Sequence, residues 1–214
     1  GAPTRTRIDL DHVRQNTRIT NLVWHLDEIT NVPTANWFGL MPITPGYTTG
    51  LRLARSGYRL DKFYTSTRTS GASPRWLFTI MSYLLVLMVR FQGRYFPFPE
   101  YVPHDDPLPI AKWIGSMLQK HGKCVLICSP SKAIRVCLSA EKHGLSLKGL
   151  NIQLGGEPMS DAKAKIMHRN GATTVERYSF NEVGALAQNC LKPSRPSDMH
   201  HLSHHSAIIQ RPIE

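Results

Sequence analysis

Three groups of residues carry types and spacings from which chemistry can be argued. Two glycines in succession, Gly155-Gly156, stand directly before Glu157-Pro158. Adjacent glycines after a strand let the backbone pass close to a flat ligand or adopt a positive φ, and a following proline fixes the exit towards a helix. Alone, the pair reads as a structural turn. Further on, Tyr178 offers a ring that could cover a purine face, and Glu182 a carboxylate able to hold a divalent ion beside phosphates. Taken singly, these read as a core tyrosine and a surface glutamate. Near the end of the sequence Cys190, His200, His201, His204 and His205 bring thiolate and imidazole together, in a spacing that fits no standard zinc finger.

The elements that must position these groups are legible downstream of residue 107. Ile110, Trp113, Ile114, Met117 and Leu118 fall at helical spacing, with Gly122 where a helix would stop. Cys124-Val125-Leu126-Ile127-Cys128 is short and apolar throughout, the pattern of a strand buried on both faces. Ser129-Pro130 opens a helix running to Gly144. Leu150 to Leu154 reads as a second strand, Ser160 or Asp161 caps a helix running to Asn170-Gly171, and Thr173 to Glu176 forms a third strand. Strand, helix, strand, helix, strand with short connections predicts an α/β fold, a mostly parallel sheet flanked by helices. Ligands bind beyond the carboxyl ends of such strands. Gly155-Gly156-Glu157 follows the second strand, and Tyr178 to Glu182 follows the third. That placement makes a nucleotide pocket the better reading of the combined groups.

Upstream the pattern is irregular. A helix is expected within Asp11 to Ile29, and beyond it turn signals such as Asn31-Val32-Pro33 and Thr44-Pro45-Gly46 predict loops and short helices. The apolar run Leu77 to Val89, closed by Arg90, is shorter than the ~20 residues a membrane span needs, so it is expected to be a buried core helix. Phe96 to Pro107 is proline-rich and reads as an extended connector. We therefore divide the chain into an N-terminal region, 1–106, and an α/β subdomain, 107–214.

Composition narrows the partners. With 26 Lys and Arg against 15 Asp and Glu among 214 residues, the formal charge of +11 favours a polyanionic partner: nucleotide, coenzyme A, nucleic acid or an acidic surface. The basic residues are dispersed rather than gathered into a run or an arginine-aromatic module, which argues against nucleic acid. Four cysteines are too few for a disulfide framework at this length and point to a reducing, cytoplasmic setting.

The chain resembles the adenylate-forming enzymes, in particular the branch of phenylacetate-coenzyme A ligase. The resemblance runs through Pro130 to Arg135, Gly144 to Leu147, Leu154-Gly155-Gly156-Glu157-Pro158-Met159-Ser160, Gly171-Ala172 and Tyr178-Ser179-Phe180-Asn181-Glu182-Val183-Gly184, covering residues ~110 to 212. It implies that ATP and a carboxylic acid form an acyl-adenylate, commonly passed on to coenzyme A. It further implies that Gly155, Gly156 and Glu157 form the adenine-pocket turn, that Tyr178 stacks on adenine, and that Glu182 binds magnesium as the catalytic carboxylate. The family's Tyr-Gly-x-Thr-Glu is altered by Ser179 and Asn181. Its phosphate loop corresponds to Thr69-Ser70-Gly71, where Pro74 replaces a glycine and removes an N–H, which argues against efficient ATP turnover. Arg75 stands where the loop has a lysine. Some members of the branch bind zinc through a cysteine and a histidine, here matched by Cys190 and His201.

Two functions follow as expectations. One is a truncated or split acid ligase whose carboxy-terminal portion, with a ribose-binding aspartate and a catalytic lysine, would come from a second polypeptide or a longer chain. The other is a non-catalytic descendant of the fold, a binding or scaffold subunit. A nucleic-acid-binding domain rests on charge alone and ranks last.

Overall fold

A computed structural model of the chain describes residues 10–26, 28–38, 45–66, 75–91, 93, 95–180, 184–189, 193–195 and 198–203. In chain order the elements are α1 (Leu10–Leu26), β1 (Thr34–Trp37), α2 (Pro45–Arg55), β2 (Lys62–Thr65), α3 (Arg75–Phe91), β3 (Pro99–Tyr101), α4 (Leu108–His121), β4 (Cys124–Cys128), α5 (Pro130–Lys142), β5 (Leu150–Leu154), α6 (Asp161–Arg169), β6 (Thr173–Phe180), β7 (Gly184–Gln188) and β8 (His200–His201). The strands form one sheet in the order β3-β2-β1-β4-β5-β6-β7-β8. Its first six strands are parallel, and β7 and β8 add antiparallel. The expected α/β sheet is the observed one.

Why these segments make these elements is plain from local chemistry. Gly122 closes α4 in the left-handed conformation, φ 74°, its N–H bonding the Leu118 carbonyl. Ser160 caps α6 by accepting a hydrogen bond from the Lys163 N–H. Proline opens α5 at its first position, where a missing N–H costs nothing.

The sheet is covered on both faces, and β4 displays the alternation. Cys124, Leu126 and Cys128 pack into a core with Ile110, Ile114, Val136 and Met167, from α4, α5 and α6. Val125 and Ile127 point the other way, into a core with Trp24, Leu53 and Val86, from α1, α2 and α3, and Phe63 of β2. The five consecutive buried residues of β4 are thus split between two cores.

Two expectations change. The N-terminal region is not only loops and short helices. Its strands β1 and β2 lie inside the sheet, β1 pairing with both β2 and β4, so the sheet continues across residue 107. Strands of three or four residues are too short to declare a period. Nor is α3 buried as a core helix should be. Val86 and Val89 are buried, yet Ile80, Tyr83, Leu84, Leu87, Met88 and Phe91 are exposed. An almost uniformly apolar helix gives no pattern from which the buried side could be read. Among the described residues no helix is long and apolar enough to cross a membrane. Cys124, Cys128 and Cys137 are buried free thiols, their pKa values raised by burial.

Candidate functional site

The strand order reverses between β1 and β4, and the segments leaving the carboxyl ends of the neighbouring strands converge there. Lys132, in the first turn of α5, closes the end of β1: its ammonium donates to the Trp37 carbonyl at 3.1 Å and lies over the Trp37 and Phe38 rings, 5.2 and 5.8 Å from their centres. Burial lowers its pKa, against the opposing pull of Cys128 and Glu157. Beside it, the Gly155-Gly156 turn leaves β5. Gly156 takes φ +82°, which favours glycine. Gly155 does not need to be glycine on these grounds, since a Cβ there would meet the Arg177 carbonyl oxygen at 3.5 Å, an ordinary contact.

Glu157 does structural work at this turn. Its carboxylate accepts hydrogen bonds from the Ser131 N–H at 3.1 Å and from the Ser131 hydroxyl, in the first turn of α5. Burial pushes its pKa up, but the hydrogen bonds from Ser131 and Ser129, with Lys163 nearby, outweigh burial and leave it below the ordinary value.

Two cavities open on either side of the turn. One, of about 590 Å³, is bounded by Glu157 to Met159, Glu176, Tyr178 and Met199. Tyr178 is 50% exposed beside it. A β-bulge between Tyr178 and Ser179 re-aims the strand at this point. Glu176 is buried; its Oε1 accepts from the Met159 N–H at 3.2 Å, while Oε2 is buried without a hydrogen-bond partner among the described residues. Burial raises the pKa of this carboxyl, partly offset by the Met159 hydrogen bond and by Lys163. Such an orphaned acceptor suits a donor supplied by a ligand.

The second cavity, of about 360 Å³, lies on the α1–α2 side. Thr20 and Trp24 of α1, Thr49 and Arg52 of α2, and Gln153 and Arg177 of the sheet bound it. Gly156, Arg177 and Ser179 line both cavities, so the two meet at the glycine turn. No aspartate or glutamate lines the second cavity among the described residues. Burial lowers the pKa of Arg52 to about 10. Arg177 is held well below the usual arginine value by burial and then by Arg52.

The structure brings Gly155, Gly156, Glu157 and Tyr178 to one place. Tyr178 lies within β6 rather than beyond it: parallel pairing ends at Leu154 opposite Glu176, and the strand continues to Phe180 against β7. His201 is on β8, opposite Ala187. Thr69, Ser70, Gly71, Pro74, Glu182 and Cys190 lie outside the described residues. No group of three or more potential metal ligands occurs among the described residues. Sequence reasoning missed Glu176, Arg177 and Arg52. The first two carried a signal, two adjacent charged residues in a strand flanked on both sides by others; Arg52 carried none, being one of two arginines in the last turn of α2.

No protein-family model and no curated protein sequence matches the chain. Solved structures that share its fold include two crystal structures of 2-hydroxyisobutyryl-CoA ligase in complex with 2-HIB-AMP and CoA. With the one in the thioesterification state the TM-score is 0.52, at 15% identity over 89% of this chain. With the open conformation it is 0.55, at 16% identity over 88%. The chain spans 34% of the length of each. At these identities the likeness is one of fold, shared with about a third of each of those ligase chains.

Proposed function

We propose that the chain forms the nucleotide- and acid-binding part of an adenylate-forming ligase of the phenylacetate-coenzyme A ligase-like branch, activating a carboxylic acid with ATP on the way to a coenzyme A thioester. The observation that carries this reading is the meeting of two cavities at Gly156, Arg177 and Ser179. A reaction joining an acid to a nucleotide needs two pockets of different chemistry whose contents touch at one point.

In this reading the purine occupies the larger cavity, against Tyr178, with its exocyclic amino group donating to the orphaned Oε2 of Glu176. The acid occupies the smaller one. Its carboxylate attacks the α-phosphorus at the junction as pyrophosphate leaves, and the Arg177 guanidinium there offers positive charge to the pentavalent centre. Magnesium would supply further neutralisation of phosphate charge, with Glu182 as its ligand by the family resemblance.

Calorimetric titration of the chain with ATP and magnesium tests the reading. Binding is expected, weakened on the order of tenfold or more by Tyr178→Ala and by Glu176→Gln. Absence of any nucleotide binding sinks it and favours a non-catalytic descendant of the fold. Acid-dependent exchange of labelled pyrophosphate into ATP then tests catalysis.

A further inference from the structure

The smaller cavity has a charge that the proposed acid-activating reaction does not use. Arg177 lies at the junction of the two cavities, whereas Arg52 lines the smaller one only. Arg52 enters from α2, next to Thr49 one turn earlier, and faces Thr20 and Trp24 of α1 across the cavity. Its Nε is buried with no hydrogen-bond partner, and no carboxylate forms an ion pair with it, among the described residues. The strand residues around it, Gln153 and Gln188, add neutral amides and no negative charge.

A half-buried guanidinium whose Nε is enclosed, with no counter-ion among the described residues, is costly, and the cost is removed when an anion completes the site. An acid with one carboxylate cannot do this, because that group is committed at the nucleotide junction, on the Arg177 side. We propose that the smaller cavity selects acids bearing a second anionic group, a dicarboxylate in the simplest case, with the distal carboxylate held by Arg52 and the reacting carboxylate left at the junction beside Arg177. The inference rests on the assignment of that cavity to the acid. Trp24 and Ile127 supply apolar contact for the chain between the two groups, and a cavity of about 360 Å³ suits a short aliphatic backbone rather than a fatty chain. The neutral hydroxyls of Thr20 and Thr49 add acceptors and donors without competing charge.

The test is calorimetric titration of the full chain with succinate and glutarate against butyrate and valerate, in the presence and absence of ATP. The dicarboxylates are expected to bind on the order of tenfold or more tightly than the monocarboxylates of equal carbon number. Arg52→Gln is expected to remove that preference and Arg52→Lys to keep part of it. Equal binding of mono- and dicarboxylates to the unaltered chain overturns the proposal without need of any variant. So does an unchanged preference in a folded Arg52→Gln protein, or binding of inorganic phosphate as tight as that of succinate, which would make the site a general anion pocket. ATP binding without a dicarboxylate preference overturns this inference and leaves the ligase reading standing. A dicarboxylate preference lost in Arg52→Gln, in a chain that binds no nucleotide, upholds the acid site and overturns the ligase reading instead.

Discussion

The two faces of the sheet are built to different ends. On the α4–α6 side, Leu126, Ile152, Leu150 and Leu154 close against Ile110, Ile114, Val136 and Met167 in one continuous core. On the α1–α3 side the same strands present Asn36, Asn151, Gln153 and Arg177, a cavity opens above them, and the apolar helix α3 leaves much of its surface exposed. Register makes the contrast: Ile127 pairs with Gln153 and Leu126 with Ile152, so one step along each strand exchanges an apolar row for a partly polar one. Through β4 and β5 one face is closed by its helices, and the other gives up packing for a cavity.

The largest expected effect follows from that difference. Leu126→Ala, on the closed face, should cost roughly 3–4 kcal/mol in urea unfolding, the transfer term plus a cavity its neighbours cannot fill. Ile127→Ala, one residue along and bordering an existing cavity, should cost about 1–2 kcal/mol because fewer contacts are lost. Equal costs would remove the distinction between the faces.

The open face should also tolerate, or gain from, removal of its charge. Arg52→Met replaces a guanidinium that has no counter-ion among the described residues with an apolar side chain of similar length, and is expected to stabilise the unliganded protein by about 1–2 kcal/mol while abolishing anion binding. A destabilisation of that size would mean that Arg52 is a structural group.

How much of this was legible depends on how many residues each element has in which to declare itself. The strand β5 and the helices α4, α5 and α6 were readable because caps and periods fall on segments of five residues or more, as with Gly122 and Ser160. Strands β1 and β2, of four residues each, sit among turn residues, and their burial comes from partners distant in sequence. At the site, Gly155 and Gly156 are legible as a turn after β5, whereas Tyr178, expected beyond the third strand, lies within β6 because pairing with β7 prolongs that strand. Glu157 was read as a ligand group, and its hydrogen bonds to α5 depend on a loop geometry that spacing does not encode. The cavity bearing Arg52 needed two helices to be docked on the sheet before it existed at all.

Glu157 tests how the turn between the two faces is held. Glu157→Ala should cost about 1 kcal/mol or less at neutral pH, as loss of a half-exposed helix cap, reduced by solvent screening. Because the folded state holds its pKa below the ordinary 4.5, the contribution is complete above that value and is lost as pH falls through the lowered folded value. The variant and the unaltered chain should therefore differ in thermal midpoint at pH 7 and converge in acid. A gap that widens on acidification would contradict the sign of the shift.

The smallest effect is expected on α3, and it separates the buried line of that helix from its exposed one. Met88 is 65% exposed and Val86 fully buried, two residues apart on the same helix. Met88→Glu should move stability by no more than about 0.5 kcal/mol, since the side chain has little packing to lose and the new carboxylate stays in water. Val86→Asp should cost several-fold more, because it places a charge among Phe63, Phe96 and Leu53 in the core. Phe91, at 89% exposed, should behave like Met88 when changed to Ser. If Met88→Glu instead proved as damaging as Val86→Asp in equilibrium unfolding, the exposed line would have to be covered in the folded protein in solution, and the open character assigned to this face would hold only for its cavity.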